Sequence, residues 1–150
     1  MIKVGCCGFA GARASYYGQF GLVEVQQTFY QPPRVQTAAR WRTEAPADFE
    51  FAVKAWQLIT HEPSSPTYRR LRMAIPEKKK RNYGFFKETE EIAGAWRRTA
   101  EFAQALGVEK IVFQSPASFY PSEGHIKNLE EFFKKMKPDP FTFIWEPRGK

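Results

Sequence analysis

Hydrophobic and polar positions along the chain alternate between two periods. Apolar residues recur every second position at Ile2–Gly5, Leu22–Gln27, Glu50–Ala55, Lys110–Gln114 and Phe141–Trp145, which predicts five strands. Between them the spacing lengthens to that of a helix. Pro32 and Pro33 open a helix that runs to about Glu44, with Val35, Ala38, Ala39 and Trp41 as its apolar stripe. Thr89–Leu106 is the clearest helix; Ile92, Ala95, Trp96, Ala100, Phe102, Ala103 and Leu106 form its buried side, and Gly107 suits its C-terminal cap. A third helix covers about Ile126–Met136, with Leu129, Phe132 and Phe133 inward and Pro138 and Pro140 ending it. Ser15–Phe20 is a short aromatic-rich helical stretch. Cys6–Gly11 and Thr28–Tyr30 read as loops, and Ala45–Asp48 as a turn. Residues 56–84, broken by Pro63, Pro66 and Pro76, are the least regular part; a loop of that length in a compact domain is usually functional or disordered.

Strands that alternate with helices predict an α/β fold with parallel strands and right-handed crossovers. Two architectures satisfy this, an open doubly wound sheet and a (β/α) barrel. The doubly wound sheet wants a phosphate loop after the first strand, but GCCGFAG has neither the GxGxxG spacing nor a P-loop lysine. Parity within the strands favours the barrel. Val23 and Val25, Phe51 and Val53, Ile111 and Phe113, and Phe141, Phe143 and Trp145 can each face helices. The opposite parity carries Glu24 and Gln26, Ala52 and Lys54, Val112 and Gln114, and Thr142, Ile144 and Glu146. Four strands thus end in Gln26, Lys54, Gln114 and Glu146, at the end where a barrel keeps its chemistry.

Composition narrows the function classes. With 43% hydrophobic and 16% aromatic residues the chain is globular. No apolar run is long enough to span a bilayer and no signal peptide is evident, so a cytoplasmic protein without membrane contact is expected. The net charge of +7 favours anionic partners, phosphates, nucleotides or nucleic acid, although much of it sits in two runs, Arg69–Arg72 and Lys78–Arg81, of the kind that usually stays solvated. Adjacent Cys6 and Cys7 give no disulfide framework and no zinc-site spacing. With no second nearby histidine or aspartate cluster, neither a metal nor a cofactor is expected.

Lys54 is the first candidate for a working residue, as a base, a Schiff-base nucleophile or a phosphate clamp. Glu24 and Glu146 can flank it as general acid and base. The structural alternative is a salt-bridge layer with Lys54 neutralising either carboxylate, since buried charges persist only when paired. Arg148 suits a bidentate grip on phosphate or carboxylate, or else pairs with Glu146. His61 can shuttle a proton; His125 begins a helix and carries less. Gln26 and Gln114 can bind a ligand at the mouth, and Tyr30 and Trp56 can stack a base or sugar or else close the core. Cys6 is an exposed thiol at the mouth or a small core residue. Phe9, Phe29 and Trp145 are assigned to packing.

The stretches VGCCGF, VEVQQTFY, FAVKAWQLITH and WEPRG, in that order over essentially the whole chain, resemble the YecE-like family, domain of unknown function 72. The resemblance implies a TIM-type barrel with the motif residues around its mouth and implies no particular reaction. Where the family usually has asparagine in the second-strand motif, this chain has Gln26 or Gln27. A full barrel takes roughly 250 residues, so residues 1–150 are expected to form one YecE-like domain, an incomplete barrel of about five strands lacking the last ones. Its open edges invite a homo-oligomer. The expected function is binding of, and acid–base chemistry on, a small anionic ligand, phosphorylated or carboxylated. The rivals are nucleic-acid binding through residues 69–81 and a non-catalytic subunit that completes a barrel in trans.

Overall fold

The computed structural model describes residues 2–136 and 140–149. Five strands, β1 (Gly5–Cys7), β2 (Leu22–Val25), β3 (Glu50–Lys54), β4 (Lys110–Ser115) and β5 (Thr142–Pro147), form one parallel sheet in the order 1-2-3-4-5. The connections carry α1 (Arg13–Tyr17), α2 (Gln27–Tyr30), α3 (Val35–Glu44), α4 (Gln57–Thr60), α5 (Glu90–Leu106) and α6 (Glu123–Lys135), with 3-10 turns at Pro66–Arg70 and Glu77–Asn82. Among the described residues the strand order never reverses, so they form no switch point of the kind a doubly wound sheet has. Among the described residues β1 and β5 each keep one unpaired edge.

The core lies on one face of the sheet. Val23, Val25, Phe51, Val53, Ile111 and Phe113 point into it and meet Tyr16 of α1, Ala38 and Trp41 of α3, Trp96 and Phe102 of α5, and Phe132 of α6. Parity therefore sorts apolar from polar side chains as expected. The helix ends follow local chemistry. Thr89 Oγ1 accepts the Ile92 N–H at 3.2 Å, and Glu90 and Glu91 sit at the positive end of the α5 dipole. Gly107 closes the helix in the left-handed region. Ser122 caps α6 by accepting the His125 N–H, so that helix starts three residues before the expected Ile126. Pro138, expected to help end it, lies outside the described residues.

Several boundaries differ from expectation. The first strand is Gly5–Cys7, not Ile2–Gly5, and Ile2 is 93% exposed. Pairing with β2 brings the Gly5 backbone so close that a Cβ would lie 2.0 Å from the Leu22 carbonyl oxygen, so the glycine sets where β1 can dock. Gln26 has left β2 with helical backbone angles and leads into α2, which replaces the expected Thr28–Tyr30 loop. Trp145 donates its indole N–H to Ser115 Oγ at 3.0 Å but remains 43% exposed, so it is a rim residue and not packing. Residues 56–84 hold α4, both 3-10 turns and a left-handed turn. Gly84, Phe85 and Phe86 have φ of 79°, 55° and 54°, and their N–H groups donate to the carbonyls of Leu58, Thr60 and Ile59. These bonds satisfy the carbonyls of α4 that its own four residues leave free.

Candidate functional site

Strand parity delivers the site. Phe51 and Val53 of β3 go to the core, which turns Ala52 and Lys54 to the opposite face. Glu24 is in register with Ala52, whose small side chain leaves room for Lys54, two residues on, to lean across. Lys54 Nζ lies 3.5 Å from Glu24 Oε1 and 3.6 Å from Glu146 Oε2. The Lys54 side chain is only 5% exposed, against 23% and 38% for the two carboxylates. The ammonium is therefore the enclosed member, and water reaches the acids.

Neighbouring groups hold the two carboxylates in place. Gln114 Nε2 donates to Glu146 Oε1 at 3.0 Å, and Arg148 Nε donates to the same oxygen at 3.0 Å. Gln26 Nε2 hydrogen-bonds Glu24 Oε1, so the amide stays with the site although it has left the strand. Thr28 Oγ1 sits 2.7 Å from the carbonyl oxygens of both Val25 and Lys54, tying the ends of β2 and β3 together. Partial burial pushes the Glu146 carboxyl up, but the Gln114 hydrogen bond and the charges of Lys54 and Arg148 outweigh it and hold the group below its ordinary 4.5. Formal charges along the row Glu24, Lys54, Glu146, Arg148 alternate and cancel.

His61 is buried just beyond α4, with Nδ1 2.8 Å from Thr60 Oγ1 and its ring edge-on to Phe29. Burial, and secondarily the Lys54 charge, lowers it from 6.5 to about 4, so the imidazole is neutral at physiological pH. Trp56 lies in the core, its indole N–H given to the Tyr30 carbonyl at 3.0 Å. Tyr30 carries the Arg70 guanidinium over its ring, 3.6 Å from the centroid. Glu24, Gln26, Lys54, Gln114, Glu146 and Arg148 are thus brought together by direct contacts, while Trp56 and Tyr30 have partners elsewhere. Of the second basic run, Lys79 pairs with Glu91 and Lys80 with Glu77.

The family model for "Protein of unknown function DUF72" matches residues 11–150. The chain belongs to the DUF72 family. DUF72 is the YecE-like family, so the resemblance carried by the four motifs holds. Two crystal structures of a DUF72 family protein from Enterococcus faecalis V583, at 2.52 and 3.10 Å resolution, are similar to this chain at 18% identity, with TM-scores of 0.67 and 0.70. Each match covers 99% of this chain and 52% or 51% of the other, so this chain spans about half the length of those proteins. At that identity the likeness is one of fold. No curated protein sequence matches.

Two features of this DUF72 chain escape a linear reading. The thiol on the polar face is that of Cys7, in register with Glu24 and exposed, whereas Cys6 packs against the core. Of the two readings of Cys6, the small core residue is the one observed, and the exposed thiol belongs to its neighbour, because β1 runs through Gly5–Cys7. Thr28, fully buried, was hidden in what reads as a loop. Among the described residues no group of three His, Cys, Asp or Glu side chains is placed to hold a metal ion, and no helix is long and apolar enough to cross a membrane.

Proposed function

We propose that this DUF72 chain binds a small anionic ligand, phosphorylated or carboxylated, at the carboxyl ends of its strands, and that the site is suited to proton transfer on that ligand. The observation that carries the reading is Lys54, enclosed between Glu24 and Glu146 on the polar face of the sheet. An ammonium has three donors, and two carboxylates leave one for a ligand oxygen. Arg148, bonded to Glu146 and otherwise exposed, offers further donors to the same anion. Glu24 and Glu146 then stand on either side of the bound group, within reach of water, as proton acceptor and donor. The same observations support reading the sheet as the first part of a TIM-type barrel. Its strands are parallel and in sequence order, its core helices lie on one face, and its polar groups gather at one end.

The test is calorimetric titration of the protein with a panel of sugar phosphates and small dicarboxylates. Members of the panel are expected to bind, and Lys54→Met and Arg148→Gln are each expected to lose that binding, while Lys78→Gln/Arg81→Gln keeps it. If no member binds, or if binding survives both site variants, the proposal fails.

A further inference from the structure

A second feature lies beside this row of charges and uses none of its ionised groups. A cleft of about 880 Å³ opens from Gln26 across the end of α2, and four arginines line it. They come from separate parts of the chain: Arg34 at the start of α3, Arg70 and Arg72 at and after the Pro66–Arg70 turn, and Arg98 on the outer side of α5. No acidic residue lines it. The arginine salt bridges among the described residues belong instead to Arg13, Arg40, Arg97 and Arg148. The contrast is sharpest on α5, where Arg97 pairs with Glu90 while its neighbour Arg98 turns to the cleft without a carboxylate.

The cluster is held in place by the fold. Arg70 is stacked on Tyr30, and the Tyr30 carbonyl receives N–H groups from both Trp56 and Gln57 at 3.0 Å. The Arg72 backbone N–H donates to Gln31 Oε1 at 2.8 Å, which pins the segment after the 3-10 turn against the end of α2. Four like charges facing one cleft repel one another, and that repulsion is relieved when an anion enters. Guanidinium forks match phosphate oxygens two at a time. The volume is in the range of small-molecule sites, roughly 300–1,000 Å³, and exceeds what a single phosphate fills.

We propose that this cleft binds a ligand carrying a chain of phosphates, with Arg34, Arg70, Arg72 and Arg98 as the groups that grip it. The site goes beyond the function proposed above and stands whether or not Lys54 contacts a ligand. The chemistry shared by a nucleoside triphosphate and inorganic tripolyphosphate is what the arginines recognise.

The test titrates the purified protein with sodium tripolyphosphate, ATP and a long oligothymidylate at fixed ionic strength. Tripolyphosphate and ATP are expected to bind with one-to-one stoichiometry. Arg70→Gln/Arg98→Gln should weaken both by roughly tenfold or more, the loss expected when charge-assisted contacts go. Lys78→Gln/Arg81→Gln removes the same charge outside the cleft and should leave affinity unchanged. Arg34→Gln, a single exposed change, gives the same reading should the double variant fold poorly. ATP binding tighter than tripolyphosphate assigns the site to nucleotides, and equal affinity assigns it to the phosphate chain alone; both support it. Absence of binding by either small probe, equal losses in the two double variants, or binding of oligothymidylate alone would overturn it.

Discussion

At the scale of single residues, Lys54 decides more than any other side chain. An ammonium this enclosed is tolerable because two carboxylates face it. Removing it leaves Glu24 and Glu146 to repel each other across the vacated space. Breaking a fully buried pair costs roughly 3–5 kcal/mol, but both carboxylates reach water, so Lys54→Met should cost less, about 1–3 kcal/mol at neutral pH. Urea unfolding would measure it as a lower midpoint. The deficit should shrink on acidification, because protonated carboxyls no longer repel. A variant as stable as the parent at neutral pH would mean that the ammonium contributes nothing to the fold.

At the scale of elements, the sequence is most legible where the cause is local. Alternation in β3 separates Phe51 and Val53 from Lys54 without reference to any other strand, and the same parity put Glu24, Gln114 and Glu146 on the polar face. It failed for β1, because Ile2 and Val4 look like a strand but only the contact of Gly5 with Leu22 fixes where pairing begins. The arginine cleft was out of reach for a related reason: its lining comes from positions 8 to 98 and its arginines from positions 34 to 98, so no local window contains it. The turn at residues 84–86 belongs to the same class, since left-handed Phe85 and Phe86 are held there by the carbonyls of α4. That turn yields a sharp comparison. A Cβ on Gly84 would lie 2.6 Å from the Glu62 nitrogen and the His61 carbonyl carbon, at a φ that side chains avoid. Gly84→Ala should therefore cost about 2–4 kcal/mol. Gly124→Ala, in the first turn of α6 with nothing within 4 Å, should instead be neutral or stabilise by up to about 1 kcal/mol. Chemical denaturation of both variants side by side checks the contrast, and equal effects would show that the turn is not a tight backbone contact.

At the scale of the whole molecule, the groups that titrate on the acid side, one histidine and several carboxylates, act in one direction. His61 is held neutral, lowered from 6.5 to about 4, so on acidification the unfolded chain takes up this proton before the folded one does. The stability this represents is complete above about pH 6.5 and drains away as pH falls to about 4, a loss of about 3 kcal/mol. The carboxylates follow at lower pH. Glu50, bonded to Lys110 and Lys3, is lowered from 4.5 to about 2. Glu44 beside Arg13, Glu88 beside Lys135, Glu91 beside Lys79 and Glu146 beside Gln114 and Lys54 are also lowered. Their contributions are complete above about 4.5 and are lost as pH falls through their folded values. Acid unfolding should then proceed in two stages, the first belonging to one buried imidazole and the second to paired carboxylates spread over the surface. Added salt should weaken the second stage and spare the first, because screening acts on exposed pairs. Urea midpoints measured from neutral pH downward would resolve the stages. His61→Gln should flatten the profile between pH 6.5 and 4.5 and leave the lower limb intact; a parent protein with constant stability across that upper interval would contradict the buried neutral histidine.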